Sequence, residues 1–250
     1  MLGMPLSMDF TLHKYIELLQ ALKDYGFNSL ILRHDVDLKP MNSLRTARIE
    51  ANMGMHGFYY FRAVPQSWDE SIIREIAGLG HEIGYHYESL TTCKGDLDAA
   101  YTDFCKNLEA LRRLVPVKSI CMHGSPRSPW DSKDIWKKYD YKSLGIENEP
   151  YLDTDFSQVF YLTDTGRRWD GYKVSVRDKI PEYQGLWTRQ GLSFHSTDDI
   201  IRGLRARKLP ERMMLTVHPQ RWNPFGPAWC QELVLQNAKN IIKRFIIKQS

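Results

Sequence analysis

Apolar residues fall along this chain in two alternating rhythms. Residues 10–25, FTLHKYIELLQALKDY, repeat at helical spacing and put Tyr15, Ile16, Leu19, Leu22 and Tyr25 on one stripe. Thr11 is a candidate N-cap and Gly26 a stop. A short continuous run follows, SLIL at 29–32, which reads as a buried strand. The rhythm then repeats: a helix over 42–53 closed by Gly54, an aromatic strand GFYYFR at 57–62, and a helix opened by Asp69-Glu70 that runs to Leu79. Next come a strand in HEIGYHYE at 81–88, a long amphipathic helix over 96–114 ending before Pro116, and a strand in VKSICM at 117–122. Asp131 caps a short helix in DSKDIWKKYD. VFYLTD at 159–164 reads as a strand, and KVSV (173–176) and GLSF (191–194) are further candidates. Ser196 to Asp199 open a helix to about Lys208, MMLTVHP at 213–219 is the last clear strand, and residues 228–248 form a closing helix with a membrane-surface alternative. Strand alternating with helix predicts a parallel sheet with helices outside it. No repeat, low-complexity tract or linker divides residues 1–250, so one domain is expected.

Composition narrows the class. Hydrophobic residues make up 42% of the chain and aromatics 12%, enough for a large core and too much for disorder. A net charge of +4, with basic residues spread and clustered only briefly as at Arg202 to Lys208, gives no reason to invoke nucleic acid. Cys93, Cys105, Cys121 and Cys230 lie far apart with no C-x-x-C pair and read as reduced thiols. The N-terminus lacks a signal-peptide pattern, and no apolar run reaches membrane-spanning length. The expectation is a cytoplasmic enzyme.

Chemistry gathers where the strands stop. LIL runs into Arg33-His34-Asp35-Val36-Asp37, EIGY into His86, ICM into His123, VFYLT into Asp164 and MLTV into His218. In parallel α/β folds the C-terminal strand ends share one face, and sites are built there. Asp35 and Asp37, two apart on an extended chain, face the same way and repel unless a cation or a proton intervenes. The plainer reading makes them helix caps or partners of Arg33. Aspartates and histidines on one rim suit a divalent metal such as zinc with a position open to water. One carboxylate then binds metal, the other takes the water's proton, and a histidine protonates the leaving group: metal-assisted hydrolysis of an amide or ester.

In order, RHDVD, GHEIGYH, HGSPRSPW, TDTGRRWDG and LTVHP resemble the motifs of the polysaccharide deacetylase (NodB-homology, carbohydrate esterase 4-like) superfamily, over roughly residues 29–219. The resemblance implies an α/β fold, a distorted (β/α) barrel of about seven strands. It also implies metal-dependent removal of acetyl from an N- or O-acetylated sugar; the lack of a signal-peptide pattern makes a nucleotide sugar or cytoplasmic glycan precursor the expected substrate, with a place in surface-polysaccharide synthesis. Carried over by position, Asp35 matches the base, Asp37 the metal-binding aspartate, His86 the first metal-binding histidine and His218 the general acid. The family's second metal histidine falls at Leu90, and its base-orienting arginine falls near His123, with Arg127 close by. His123 is therefore the expected third ligand beside Asp37 and His86, with zinc the expected metal. Glu88 shares the strand face of His86, whereas His81 and His34 face away and suit packing.

Two other function classes stay open. Leu90 motivates a non-catalytic carbohydrate-binding protein on the same fold, and the same groups would also cut another non-peptide C–N bond such as a cyclic amide. Gly78-x-Gly80-x-x-x-Gly84 only grazes a dinucleotide fingerprint, because a strand follows it, and no G-x-S-x-G elbow or phosphate loop is present. Trp130, Trp169, Tyr172, Trp187 and Trp222 are many aromatics for loops near a rim, where sugars stack on aromatic faces, although each taken singly reads more readily as core than as a ligand contact.

Overall fold

The computed structural model describes residues 8–125, 128–170, 175 and 178–247. They fall into two compact units: Ile31–Asp155 with Val217–Gln220, and Met1–Leu30 with Phe156–Thr216 and Arg221–Ser250.

The first unit carries the strand-end residues. Its four strands are β1 (Ser29–Val36, whose first two residues belong to the other unit), β2 (Phe58–Phe61), β3 (Glu82–Tyr87) and β4 (Ser119–Met122). They pair in parallel in the order β4-β3-β2-β1, with Asp35 opposite Tyr60, Tyr60 opposite Gly84, and His86 opposite Cys121. The helix α1 (Leu12–Tyr25), which lies in the other unit, precedes β1; α2 (Pro40–Asn52), α3 (Glu70–Gly78), the single turn α4 (Ser89–Thr92) and α5 (Leu97–Arg112) run between the four strands, and the turn α6 (Pro150–Asp153) follows.

Strand alternation sorts the side chains into two sets. Val36, Tyr59, Phe61, Ile83, Tyr85, Tyr87, Ile120 and Met122 form the core with Leu44 and Ala47 of α2, Ile72, Ile73 and Ile76 of α3, and Phe104, Leu108 and Leu111 of α5. The intervening positions, Arg33, Asp35, Tyr60, Gly84, His86, Ser119 and Cys121, lie on the opposite face. Gly84 is required there: a Cβ would stand 2.3 Å from the Tyr60 ring, whose hydroxyl is 2.6 Å from Ser119 Oγ. Asp69 and Asp96 cap α3 and α5 through their side chains, as short acidic N-caps do.

In the second unit β5 (Phe160–Thr163) pairs in parallel with β6 (Arg212–Val217), whose last residue passes into the first unit. Its helices are α1, α7 (Pro181–Arg189), α8 (Thr197–Arg205) and α9 (Pro227–Ile247). Thr11 caps α1 and Gly26 ends it in the left-handed conformation, as read from the sequence. Ile16 is nevertheless exposed, and Lys14 is buried in its place against Asp198 and Glu17 of the same unit. The inward face of α9 is polar: Glu232, Gln236 and Asn240 are buried while Val234, Leu235 and Ile241 are exposed.

The α/β class holds, with six strands among the described residues rather than about seven. GLSF is a turn and an irregular segment after α7, and KVSV, apart from Ser175, lies outside the described residues, as does Tyr172. Trp169, Trp187 and Trp222 are buried in the second unit, Trp187 on a helix and the other two in turns or irregular segments; Trp130 is exposed. All four cysteines are free thiols. Among the described residues no helix is long and apolar enough to cross a membrane.

Candidate active site

Past the ends of β1 to β4 the alternation brings one layer of polar groups together within the first unit. Asp37 follows β1, Arg62 follows β2, His86 lies in β3 and Glu88 just after it, and His123 follows β4. His218 and Gln220 enter from the segment after β6 that belongs to this unit. The chain turns sharply beyond Asp37: Lys39 takes a φ of 56°, left-handed and unfavourable for a side chain, before α2 starts at Pro40.

At the centre is one carboxylate oxygen. Asp37 Oδ1 lies 3.4 Å from His123 Nε2 and 3.6 Å from His86 Nε2, and the three ligand atoms lie within 4.8 Å of one another. Asp37 Oδ2 accepts from Gln220 Nε2 at 3.1 Å and lies 4.0 Å from His218 Nε2. His86 Nδ1 is 2.9 Å from the Cys121 carbonyl oxygen, which can only accept. That places the hydrogen on Nδ1 and leaves the Nε2 lone pair facing Asp37. His123 Nδ1 is 3.0 Å from Glu88 Oε2, with the same consequence. Asp37 Oδ1 is buried and accepts no hydrogen bond. Two imidazole lone pairs and an unpartnered carboxylate oxygen, all acceptors, are a donor set that fits a divalent cation of the zinc type.

Asp35 is held differently. Arg33, two residues earlier on the same face, donates from Nε to Oδ1 at 2.8 Å and from Nη2 to Oδ2 at 2.7 Å, and both residues are buried. Arg33 itself stacks 4.6 Å from the Tyr151 ring centre, and Nη2 donates to the Tyr151 hydroxyl at 3.2 Å. Tyr151 is fixed on α6, whose N-terminal amides donate to the Glu149 cap. Burial pushes the Asp35 carboxyl up, but the Arg33 charge, then His86 and His218, bring it down to about 2. Asp37 is only half-buried; the loss of solvent pushes its carboxyl up, but His86, His123 and His218 outweigh that and hold it well below the usual carboxylate range. Asp35, His86 and Cys121 form a second possible donor group, in which each Asp35 oxygen also accepts one bond from Arg33.

All five residues singled out from the sequence, Asp35, Asp37, His86, His123 and His218, therefore meet in one unit. Leu90, in the same unit, is not part of the cluster: it is buried on α4 against Ala100 and Ile135. His81 is buried with Nδ1 accepting from the Gly57 amide at 3.1 Å and Nε2 3.0 Å from the Ala47 carbonyl. His34 points to the opposite face, 2.7 Å from Glu50 and stacked on Tyr59. Arg127 lies outside the described residues. Asp164 is buried in its own unit, accepting from Arg221 at 2.7 Å and Trp222 at 2.8 Å. The sequence reading weighed Glu88 only as a neighbour of His86 on the same strand face, preferring His123 as third ligand, and left Arg62, Tyr151 and Gln220 out. The two-residue spacing of His86 and Glu88 carried a signal for the first; nothing local marked the others.

No protein-family model matches the chain, and no curated protein matches it. Among solved structures it is similar to Bacillus subtilis PdaA, a family 4 carbohydrate esterase, at 12% identity and a TM-score of 0.42, over 90% of this chain and 84% of that one. It is also similar to a mutant of the peptidoglycan deacetylase PdaC from Bacillus subtilis, at 9% identity and a TM-score of 0.39, over 88% of this chain and 98% of that one. Likeness at this level assigns no activity to the chain, whose chemistry has to be read from its own residues.

Proposed function

We propose that this chain is a metal-dependent hydrolase that removes an acetyl group from an N- or O-acetylated sugar or glycan precursor. The observation that carries the reading is the convergence of Asp37 Oδ1, His86 Nε2 and His123 Nε2 beside two further acid–base groups, Asp35 and His218. Asp37, His86 and His123 would hold the cation, with zinc best matched to one carboxylate and two imidazoles. When bound, such a cation polarises an acyl oxygen and makes a water acidic near neutral pH.

The protein's own groups do the rest. Asp35 is ionised throughout the neutral range and accepts the attacking water's proton, its carboxylate plane fixed by two Arg33 bonds. His218, on the Oδ2 side of Asp37, gives a proton to the departing nitrogen or oxygen. Gln220 holds Asp37 Oδ2 and leaves Oδ1 for the ligand position. The acetylated-sugar substrate is supported by the order of the five sequence motifs.

The test is metal content of untagged, chelator-free protein for wild type and His86→Ala, followed by acetate release from a panel of N- and O-acetylated sugars. Near-stoichiometric metal in wild type, lost in His86→Ala, and acetate release lost in Asp35→Asn without loss of metal are expected. A wild type that neither contains nor takes up metal would overturn the proposal. Sugar binding indifferent to chelator and to Asp35→Asn would replace it with a carbohydrate-binding role.

A further inference from the structure

His86 and His123 reach the same oxygen, but different parts of the molecule hold their rings. His86 takes its orientation from a backbone carbonyl, that of Cys121 on the neighbouring strand, which no side-chain substitution removes. His123 lies beyond β4; its amide donates to the Tyr87 carbonyl at 2.8 Å, and its Nδ1 faces the Glu88 carboxylate. Glu88 is fixed at its other oxygen: Arg62 Nε and Nη2 reach Oε1 at 3.0 and 2.6 Å. The third Arg62 nitrogen, Nη1, donates to the Asp37 carbonyl at 3.2 Å. One arginine thus ties the backbone of the aspartate ligand to the carboxylate behind the histidine ligand.

We propose that Glu88, held by Arg62, is the positioning residue that makes His123 a metal ligand. A carboxylate can only accept, so it keeps the proton on Nδ1 and the lone pair on Nε2, and it sets the ring plane toward Asp37. Glu88 is not itself a ligand: one oxygen is committed to His123 and the other to Arg62. This inference rests on the metal-site reading above and deepens it. It also explains how a chain with Leu90 at the family's histidine position completes the site, since the replacement ligand from the next strand arrives with its own support.

The experiment is a double-mutant cycle on metal affinity. Cobalt(II) and zinc(II) dissociation constants are measured by chelator competition for wild type, Glu88→Ala, His123→Ala and the double variant, with the cobalt visible spectrum as a second readout. Glu88→Ala is expected to weaken binding about 10- to 100-fold, the usual effect of removing a carboxylate behind a ligating histidine. It is expected to cause no further loss once His123 is alanine, and its cobalt spectrum should approach that of His123→Ala. Glu88→Gln keeps an acceptor for Nδ1–H and should fall between; if Glu88→Ala does not fold, the cycle is run with Gln. An unchanged affinity, or the same loss with and without His123, would overturn the positioning role while leaving the metal site standing. A wild type that takes up no cobalt would instead overturn the metal reading, and this inference with it.

Discussion

Replacing Arg33 by methionine leaves the Asp35 carboxylate in a buried layer without its largest stabilising charge. The wild-type pair is almost wholly enclosed, with Arg33 at 1% and Asp35 at 4% exposure, and its two bonds of 2.8 and 2.7 Å are short and charge-assisted. Removing one member of such a pair costs about 3–5 kcal/mol, because the partner's desolvation is no longer offset. Against a typical total of about 5–15 kcal/mol, that is a large share. Removing both members is different: Arg33→Met with Asp35→Leu takes away the Asp35 charge together with its partner and should recover most of the loss. The assay is urea unfolding at neutral pH with chelator present, so that metal binding does not enter, comparing midpoints at a common slope. If Arg33→Met costs under about 1 kcal/mol, as an exposed pair would, or the double variant is no more stable than the single, the account of Asp35 is wrong.

Gly84→Ala should destabilise by about 1–3 kcal/mol or more, since the new methyl meets the Tyr60 ring and the Ser119 carbonyl, and a thermal-melt comparison checks it. Leu90→His, which restores the histidine of the resembling family, should cost about 2–4 kcal/mol by burying an imidazole against Ala100 and Ile135. It should leave cobalt affinity unchanged, and a gain in affinity would contradict the placement of α4. Ser196→Ala should cost about 1 kcal/mol by removing the cap of α8, whose reciprocal partner is Asp199. Asp199 is held below its ordinary 3.8: burial raises it, but the bonds from Ser196 and the His195 amide outweigh that. A depressed carboxyl contributes stability above its unfolded value that is lost as the pH falls through the folded one. The penalty of Asp199→Asn in urea unfolding should therefore be largest near neutrality and fade below pH 3.8.

The alternation of strand and helix was legible because each buried strand is a short apolar run and each helix carries a cap or stop such as Thr11, Asp69 or Gly26. The candidate site was legible for a related reason: parallel strands end on one face, so His86, His123 and His218 could be assembled from position alone. What the chain concealed depends on tertiary neighbours. Arg33 and Asp35 are two apart, and their pairing was foreseeable; that Tyr151 would back Arg33 from a turn over a hundred residues later was not. Arg62 looked like the polar end of an aromatic strand, and its role exists only because Glu88 and the Asp37 carbonyl lie within its reach. α7 escaped notice because PEYQGLWTR has a glycine in its middle and only Trp187 buried. The reading of each rim aromatic as core holds at Trp169, Trp187 and Trp222, which the second unit uses to fill its interior.

The strict two-residue spacing of polar and apolar positions on the four strands has an evolutionary corollary. A single-residue insertion or deletion in β3 ahead of His86 would turn the imidazole toward the side packed by α3 and α5 and swing a tyrosine ring into the polar layer, so both would fail at once. Length changes are thus confined to the connections beyond the strand tips, such as those after Arg62, Glu88 and His123, whose lengths no pairing register dictates. Variation there reshapes the approach to the polar layer without moving a member of it. A lineage of such chains would change what it admits by the length of its loops while the strand segments stay fixed in length.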